Sequence, residues 1–262
     1  MAKLIALFTM LATLTLIPAA QAHFLWLERD GDGPARAYFG EWIDDIREKT
    51  GGLLDRFKAP RVTVGANNEP LPVKRNENNL EFAAKGPGDV RFVDSSVPAR
   101  EDNEKGGTTK TIYYAKHGRS ETAAKLDLEL VPAEANGKTF VLIFFGSPLP
   151  KAELTIIGPA KWEKPLTTDE QGRVTLPMPW AGRYVLEVTH FDEKTGGSGE
   201  EKFNRTRHIS SLSLIQSDGL VWQSKRRAPT TFATANDTSC KWDDRYSTIC
   251  IRDRAVTYSH VP

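Results

Sequence analysis

From residue 23 onward, apolar and polar positions alternate over short runs separated by Gly, Pro, Asn and Asp. The clearest run is Lys125-Leu126-Asp127-Leu128-Glu129-Leu130. Its period of two puts the leucines on one strand face and the charges on the other, the pattern of a half-buried strand. Shorter β-rich runs occupy residues 23–28, 35–40, 61–64, 80–83, 90–93, 109–114 and 139–145, and the first two flank the turn Asp30-Gly31-Asp32-Gly33-Pro34. That is the grammar of a β-hairpin. Residues 41–57 carry a mixed pattern broken by Gly51-Gly52 and are expected to form a surface excursion. No amphipathic helix of three or more turns is evident, so the pattern predicts antiparallel sandwiches rather than βαβ units.

The first 22 residues follow a different rule. Lys3, an apolar segment from Leu4 to Ile17, Pro18 and the small-residue site Ala20-Gln21-Ala22 together read as a signal peptide cleaved after Ala22. The apolar segment falls short of the roughly 18 to 20 residues that cross a bilayer core, and no later segment approaches that length. A mature chain beginning at His23 is therefore expected in the periplasm or outside the cell. Pro132-Ala133-Glu134-Ala135-Asn136-Gly137-Lys138 reads as a linker. The expected organisation is a signal peptide at 1–22, a β-sandwich domain at 23–135, a second at 136–215 and an irregular tail at 216–262.

Composition narrows the partners. Of 35 Lys and Arg residues, Lys3 leaves with the leader, so the mature chain balances 34 basic against 34 acidic residues. A nucleic-acid footprint needs a clustered basic excess, so no nucleic-acid partner is expected. Cys240 and Cys250 are the only cysteines, and in an oxidising compartment a local disulfide is reasonable. They are spaced too widely for a zinc thiolate pair.

Cleavage after Ala22 would give His23 a free α-amine beside its imidazole, a bidentate nitrogen chelate suited to nickel, cobalt, copper or zinc. Reference pKa values near 7.7 to 8 for an α-amine mean that binding displaces a proton and weakens in acid. Two nitrogens make a weak site, and further ligands must come from His117, His190, His208 or His260. His190 follows an apolar strand and His208 precedes the last one. If those strands are neighbours, both imidazoles lie together, with Glu187 or Asp192 available to orient them. His117 falls just past a strand, and His260 sits in the tail. A calcium loop through Asp30, Asp32 and Glu41 fails because Pro34 and Ala35 occupy its ligand and glycine positions. No Ser-His-Asp or Cys-His set can be assigned, which leaves little for hydrolase chemistry.

Several stretches together carry a family resemblance: Ala22-His23-Phe24-Leu25-Trp26-Leu27, Tyr38-Phe39-Gly40-Glu41, the run from Asp45 to Gly52, and His208-Ile209-Ser210-Ser211-Leu212-Ser213-Leu214. They resemble the DUF4198 family over about residues 23–215. Gly146-Ser147-Pro148-Leu149, Thr168-Asp169-Glu170-Gln171-Gly172 and Gly182-Arg183-Tyr184 resemble a prealbumin-like or carboxypeptidase-regulatory sandwich. The resemblance implies an exported β-rich protein related to NikM-type periplasmic components of cobalt and nickel uptake, with membrane transporter subunits as partners. The leading expectation is a non-enzymatic binder of a divalent transition metal through His23, assisted by His190 or His208. A histidine-brace copper oxidative enzyme and an adhesion or carbohydrate-binding module without metal are the alternatives.

Overall fold

The computed structural model describes residues 23–102, 106–222, 247–251 and 254–258. The expected leader, Cys240 and His260 lie outside the described residues. Among the described residues, those up to Trp222 form one compact unit and those from 247 onward belong to a second. The chain is all-β. In order, its strands are β1 (Phe24–Glu28), β2 (Ala35–Glu41), β3 (Ile46–Arg47), β4 (Arg61–Val64), β5 (Val73–Arg75), β6 (Leu80–Phe82), β7 (Val90–Asp94), β8 (Arg100–Glu101) and β9 (Thr108–His117). There follow β10 (Leu128–Pro132), β11 (Thr139–Phe144), β12 (Ser147–Pro148), β13 (Glu153–Ile157), β14 (Glu163–Thr167), β15 (Arg173–Thr175), β16 (Trp180–Asp192), β17 (Arg205–Gln216) and β18 (Leu220–Val221). In the second unit, β19 (Ser247–Ile251) and β20 (Arg254–Tyr258) form an antiparallel hairpin.

A nine-stranded sheet is the spine of the first unit. Its order is β14-β13-β16-β17-β9-β7-β4, with β18 on β16 and β8 on β9. The central pair, β17 and β9, is parallel, against the expected antiparallel pattern, and it joins strands from both halves of the sequence. The boundary expected at residues 135 and 136 falls in the turn between β10 and β11, which pair antiparallel along five residues.

Because side chains in a strand alternate between faces, β9 and β17 feed two cores at once. Tyr113, Ala115 and Ile209 join the first core, with Phe39, Phe57, Phe82 and Phe92. Tyr114, Leu212 and Leu214 join the second, with Leu128, Phe140, Leu142, Leu186 and Val188. The first face is covered by the sheet β1-β2-β6-β5, with β3 on β2, and the second by β10-β11-β12, with β15 on β11. β1 is the edge of its sheet and would leave carbonyls unpaired. Ser211 Oγ donates to Leu25 O and Ser213 Oγ to Leu27 O, closing that edge against β17.

The run containing Leu128 and Leu130 departs from expectation. β10 is buried on both faces, and Glu129 is only 1% exposed. Its carboxylate accepts from Arg91 Nε at 2.9 Å and pairs with Lys116 Nζ at 3.2 Å. The backbone N–H groups of Lys125 and Leu126 donate to its second oxygen. Lys116 also pairs with Asp89 at 3.1 Å, and Arg91 with Glu121 at 2.6 Å. A charge face that read as solvated is a buried, hydrogen-bonded ion network, the only form in which charges tolerate such burial.

Candidate functional site

The first candidate is the corner around His23, at the start of β1. Phe24 pairs with Gly40 of β2, and Gly40 pairs with Arg47 of β3. Gly40 has φ 144°, and a Cβ there would collide with the Ile46 carbonyl oxygen. Only glycine lets β3 fold back this closely. The return continues into a bond from Glu48 N to Phe39 O at 2.8 Å. That brings the Glu48 carboxylate to 2.7 Å from His23 Nε2 and leaves Glu41, at the end of β2, 3.5 Å from Nδ1. His23 packs on Phe39 with ring centroids 5.4 Å apart, and the Arg56 guanidinium lies over that ring.

Chemically this is an imidazole with a carboxylate on each side. Glu48 accepts from Nε2, and Nδ1 faces Glu41. Nδ1 is also the ring nitrogen that closes a chelate with an α-amine on the same residue. Behind Glu41, a cavity of about 110 Å³ is lined by Phe24, Trp42, Ile157, Glu163 and Glu187. Burial, and then the charges of Glu163 and Glu41, push the Glu187 carboxyl up to about 8. The corner therefore gathers a histidine and four carboxylates, Glu41, Glu48, Glu163 and Glu187. Among the described residues, no group of three His, Cys, Asp or Glu side chains is arranged to hold a metal by itself. A metal at His23 thus needs a further donor.

The second candidate lies on the other face of the nine-stranded sheet. His190 of β16 and His208 of β17 are direct cross-strand partners, so the neighbouring strands that the sequence required do exist. His208 is 2% exposed. Its Nδ1 meets the Tyr114 hydroxyl at 3.1 Å, and that hydroxyl donates to Asp127 at 3.2 Å. The Phe144 ring touches both imidazoles, with centroids 4.5 Å from His190 and 5.0 Å from His208. Burial pushes His208 down to about 4, with Asp192 opposing and His190 reinforcing the shift, and burial likewise lowers His190 against the pull of Asp192. Both rings are neutral at neutral pH.

The structure does not bring the four expected ligands together. Ser210 bonds Leu128 O on the second face, whereas Ser211 bonds Leu25 O on the first. By alternation His208 shares the face of Ser210, and β1 lies on the face of Ser211. The sheet therefore separates His23 from His190 and His208. His117 shares the first face but bonds Ser213, which is itself bonded to Leu27. That is four residues along β1 from His23, about 13 Å at the rise of a strand. His117 lines a polar cavity of about 470 Å³ with Arg29, Asp89 and Arg119. Burial and then Arg183 push it down to about 4. Glu187 does not orient His190: three positions apart on β16, they face opposite ways, and Asp127 supports His208 through Tyr114 instead. Glu48 and Tyr114 are the contributors that residue spacing alone did not single out.

The fold and these two corners define an all-β sandwich protein with histidines set among carboxylates on one face and aromatics on the other. Residues 20–192 match the model of the family described as Domain of unknown function (DUF4198), and the chain belongs to that family. No curated protein and no solved structure matches the chain.

Proposed function

We propose that this chain is an exported, periplasmic protein that binds a divalent transition metal, nickel, cobalt or copper, at His23 for uptake or delivery. The observation that carries the reading is the pair of carboxylates on the two ring nitrogens of His23. Metal-bound imidazoles commonly donate their second N–H to a carboxylate, and Glu48 takes that role at Nε2. Nδ1, the α-amine of a chain cleaved after Ala22 and the Glu41 carboxylate would then hold the cargo ion. Imidazole and amine nitrogens select borderline cations, and a single carboxylate offsets part of the ion's charge.

The chain is read as a NikM-like component that hands its ion to membrane transporter subunits, with its second half serving as a prealbumin-like scaffold. The neighbours of His23 favour binding over redox chemistry. A histidine brace asks for a second imidazole beside the first, and carboxylates occupy that place.

The test is isothermal titration of the protein beginning at His23 with nickel, cobalt, copper and zinc, beside a protein carrying one extra N-terminal alanine. Submicromolar binding that the alanine weakens at least a hundredfold is expected. Equal binding by both proteins would refute the His23 site.

A further inference from the structure

Across β16 and β17, directly opposed residues have Cβ atoms about 5 Å apart, so two histidines in register can aim at one point between them. His190 and His208 are such a pair. The Tyr114 proton goes to Asp127, so the hydroxyl oxygen accepts from His208 Nδ1–H. That assigns the ring proton to Nδ1 and leaves the Nε2 lone pair bare. This Nε2 is buried and has no hydrogen-bond partner. An unmatched buried acceptor on a ring otherwise held by a tyrosine and a carboxylate is poorly explained by folding alone.

The surroundings point the same way. Tyr114 stacks on His208 with centroids 5.8 Å apart, and Phe144 and Phe145 meet it edge-on. Phe145 has φ 45°, a strained setting for a bulky residue, and its N–H donates to Asp127 O at 2.7 Å. Asp127 thus fixes both the ring that orients His208 and the strained ring that walls it. Low-dielectric walls strengthen any bond made to the bare lone pair.

We propose that His190 and His208 form a second divalent-metal site, separate from the His23 corner, taking a borderline cation such as Cu²⁺ or Zn²⁺ through His208 Nε2 and a ring nitrogen of His190. Asp127, through Tyr114, is its orienting carboxylate, the arrangement by which outer partners fix a ligating imidazole. Asp192, two residues from His190 on the same face, is engaged by Lys194 at 3.7 Å. Water would complete the coordination from the side of His190, the less buried of the two rings.

The site stands independently of the His23 reading, and the same titration separates them. An added N-terminal alanine moves the amine away from an amine-dependent site, so an equivalent of Zn²⁺ or Cu²⁺ that survives it and is lost in H190Q reports the histidine pair. The alanine-extended protein should bind one equivalent, H190Q in that background should bind at least tenfold more weakly, and Y114F about tenfold more weakly. Copper bound to the extended protein should show nitrogen hyperfine coupling from two imidazoles, and from one in H190Q. Thermal unfolding confirms that each variant is folded, and Y114F, which keeps its ring packing, stands in if H190Q is not. An extended protein that binds no metal, or that binds equally after H190Q or Y114F, overturns the proposal. Equal binding with and without the alanine would sink the His23 site while leaving this one in place.

Discussion

The two faces of the nine-stranded sheet solve the burial of polar groups differently. On the first, the core is a cluster of aromatic rings, the Ser211 and Ser213 hydroxyls close the edge of β1, and the buried Asp94 carboxylate accepts from the neutral groups of Ser96 and Ala59. On the second, charges themselves are buried, with Glu129 between Arg91 and Lys116, and Asp127 behind Tyr114. The histidines follow suit. His23 meets carboxylates directly at a half-exposed corner, whereas His208 is buried and receives its carboxylate through a tyrosine. A carboxylate near water can touch an imidazole without great desolvation cost, while under a sheet a hydroxyl must stand between them or the pair must be fully bonded.

That contrast predicts unequal sensitivity to deletion. Glu129→Ala takes one of two carboxylate partners from each of two buried cations, leaving Arg91 with Glu121 and Lys116 with Asp89, and should destabilise the protein by about 4 kcal/mol. Ser211→Ala on the first face removes one neutral hydrogen bond and should cost about 1 kcal/mol. Urea denaturation of both variants measures the difference, and equal losses would erase the distinction between the faces.

Acid should act next most strongly, through one histidine on each face. His117 and His208 are held near 4 when folded, against an ordinary 6.5. Between those values the unfolded chain takes up protons that the folded chain refuses, so stability falls as pH drops from 6.5 to 4. Each ring contributes about 3 kcal/mol to that loss. Glu187 has the opposite sign: raised from 4.5 to about 8, it keeps a proton in the folded state that the unfolded state has lost, so stability falls as pH rises through that interval. The three groups together place a stability maximum near pH 6.5. Thermal unfolding from pH 4 to 8.5 should show it, and Glu187→Gln should remove the alkaline decline and leave the acid one.

Much of this was legible in the sequence, and the failures share a cause. The hairpin of β1 and β2 followed from its alternation and acidic glycine turn, whereas the meeting of His190 with His208 was conditional on their strands being neighbours, and both lie inside strands that run longer than the apolar runs suggested. What a period of two cannot give is whether the polar face of a strand meets water or another layer. Glu129 looked solvated because a second sheet over it leaves no local mark. The parallel pairing of β17 with β9 likewise depends on partners about a hundred residues apart. Parity along β16 was readable and would have set Glu187 on the face opposite His190. Glu48 was not, because its approach to His23 depends on the close return of β3 over Gly40, a backbone contact rather than a pattern.

The smallest expected effect tests what Glu48 contributes. If it acts only as a positioned acceptor for Nε2–H, Glu48→Gln should be nearly silent, because an amide oxygen can take the same hydrogen bond. If its charge also raises the basicity of Nδ1, as outer carboxylates do for ligating imidazoles, then Glu48→Gln should weaken nickel or copper binding a few-fold and Glu48→Ala about tenfold. Neither should alter binding at the histidine pair, which lies beyond the sheet. Competition titrations against a chelator of known affinity resolve differences of that size. Equal losses in both variants would make the hydrogen bond irrelevant and leave the charge as the whole contribution.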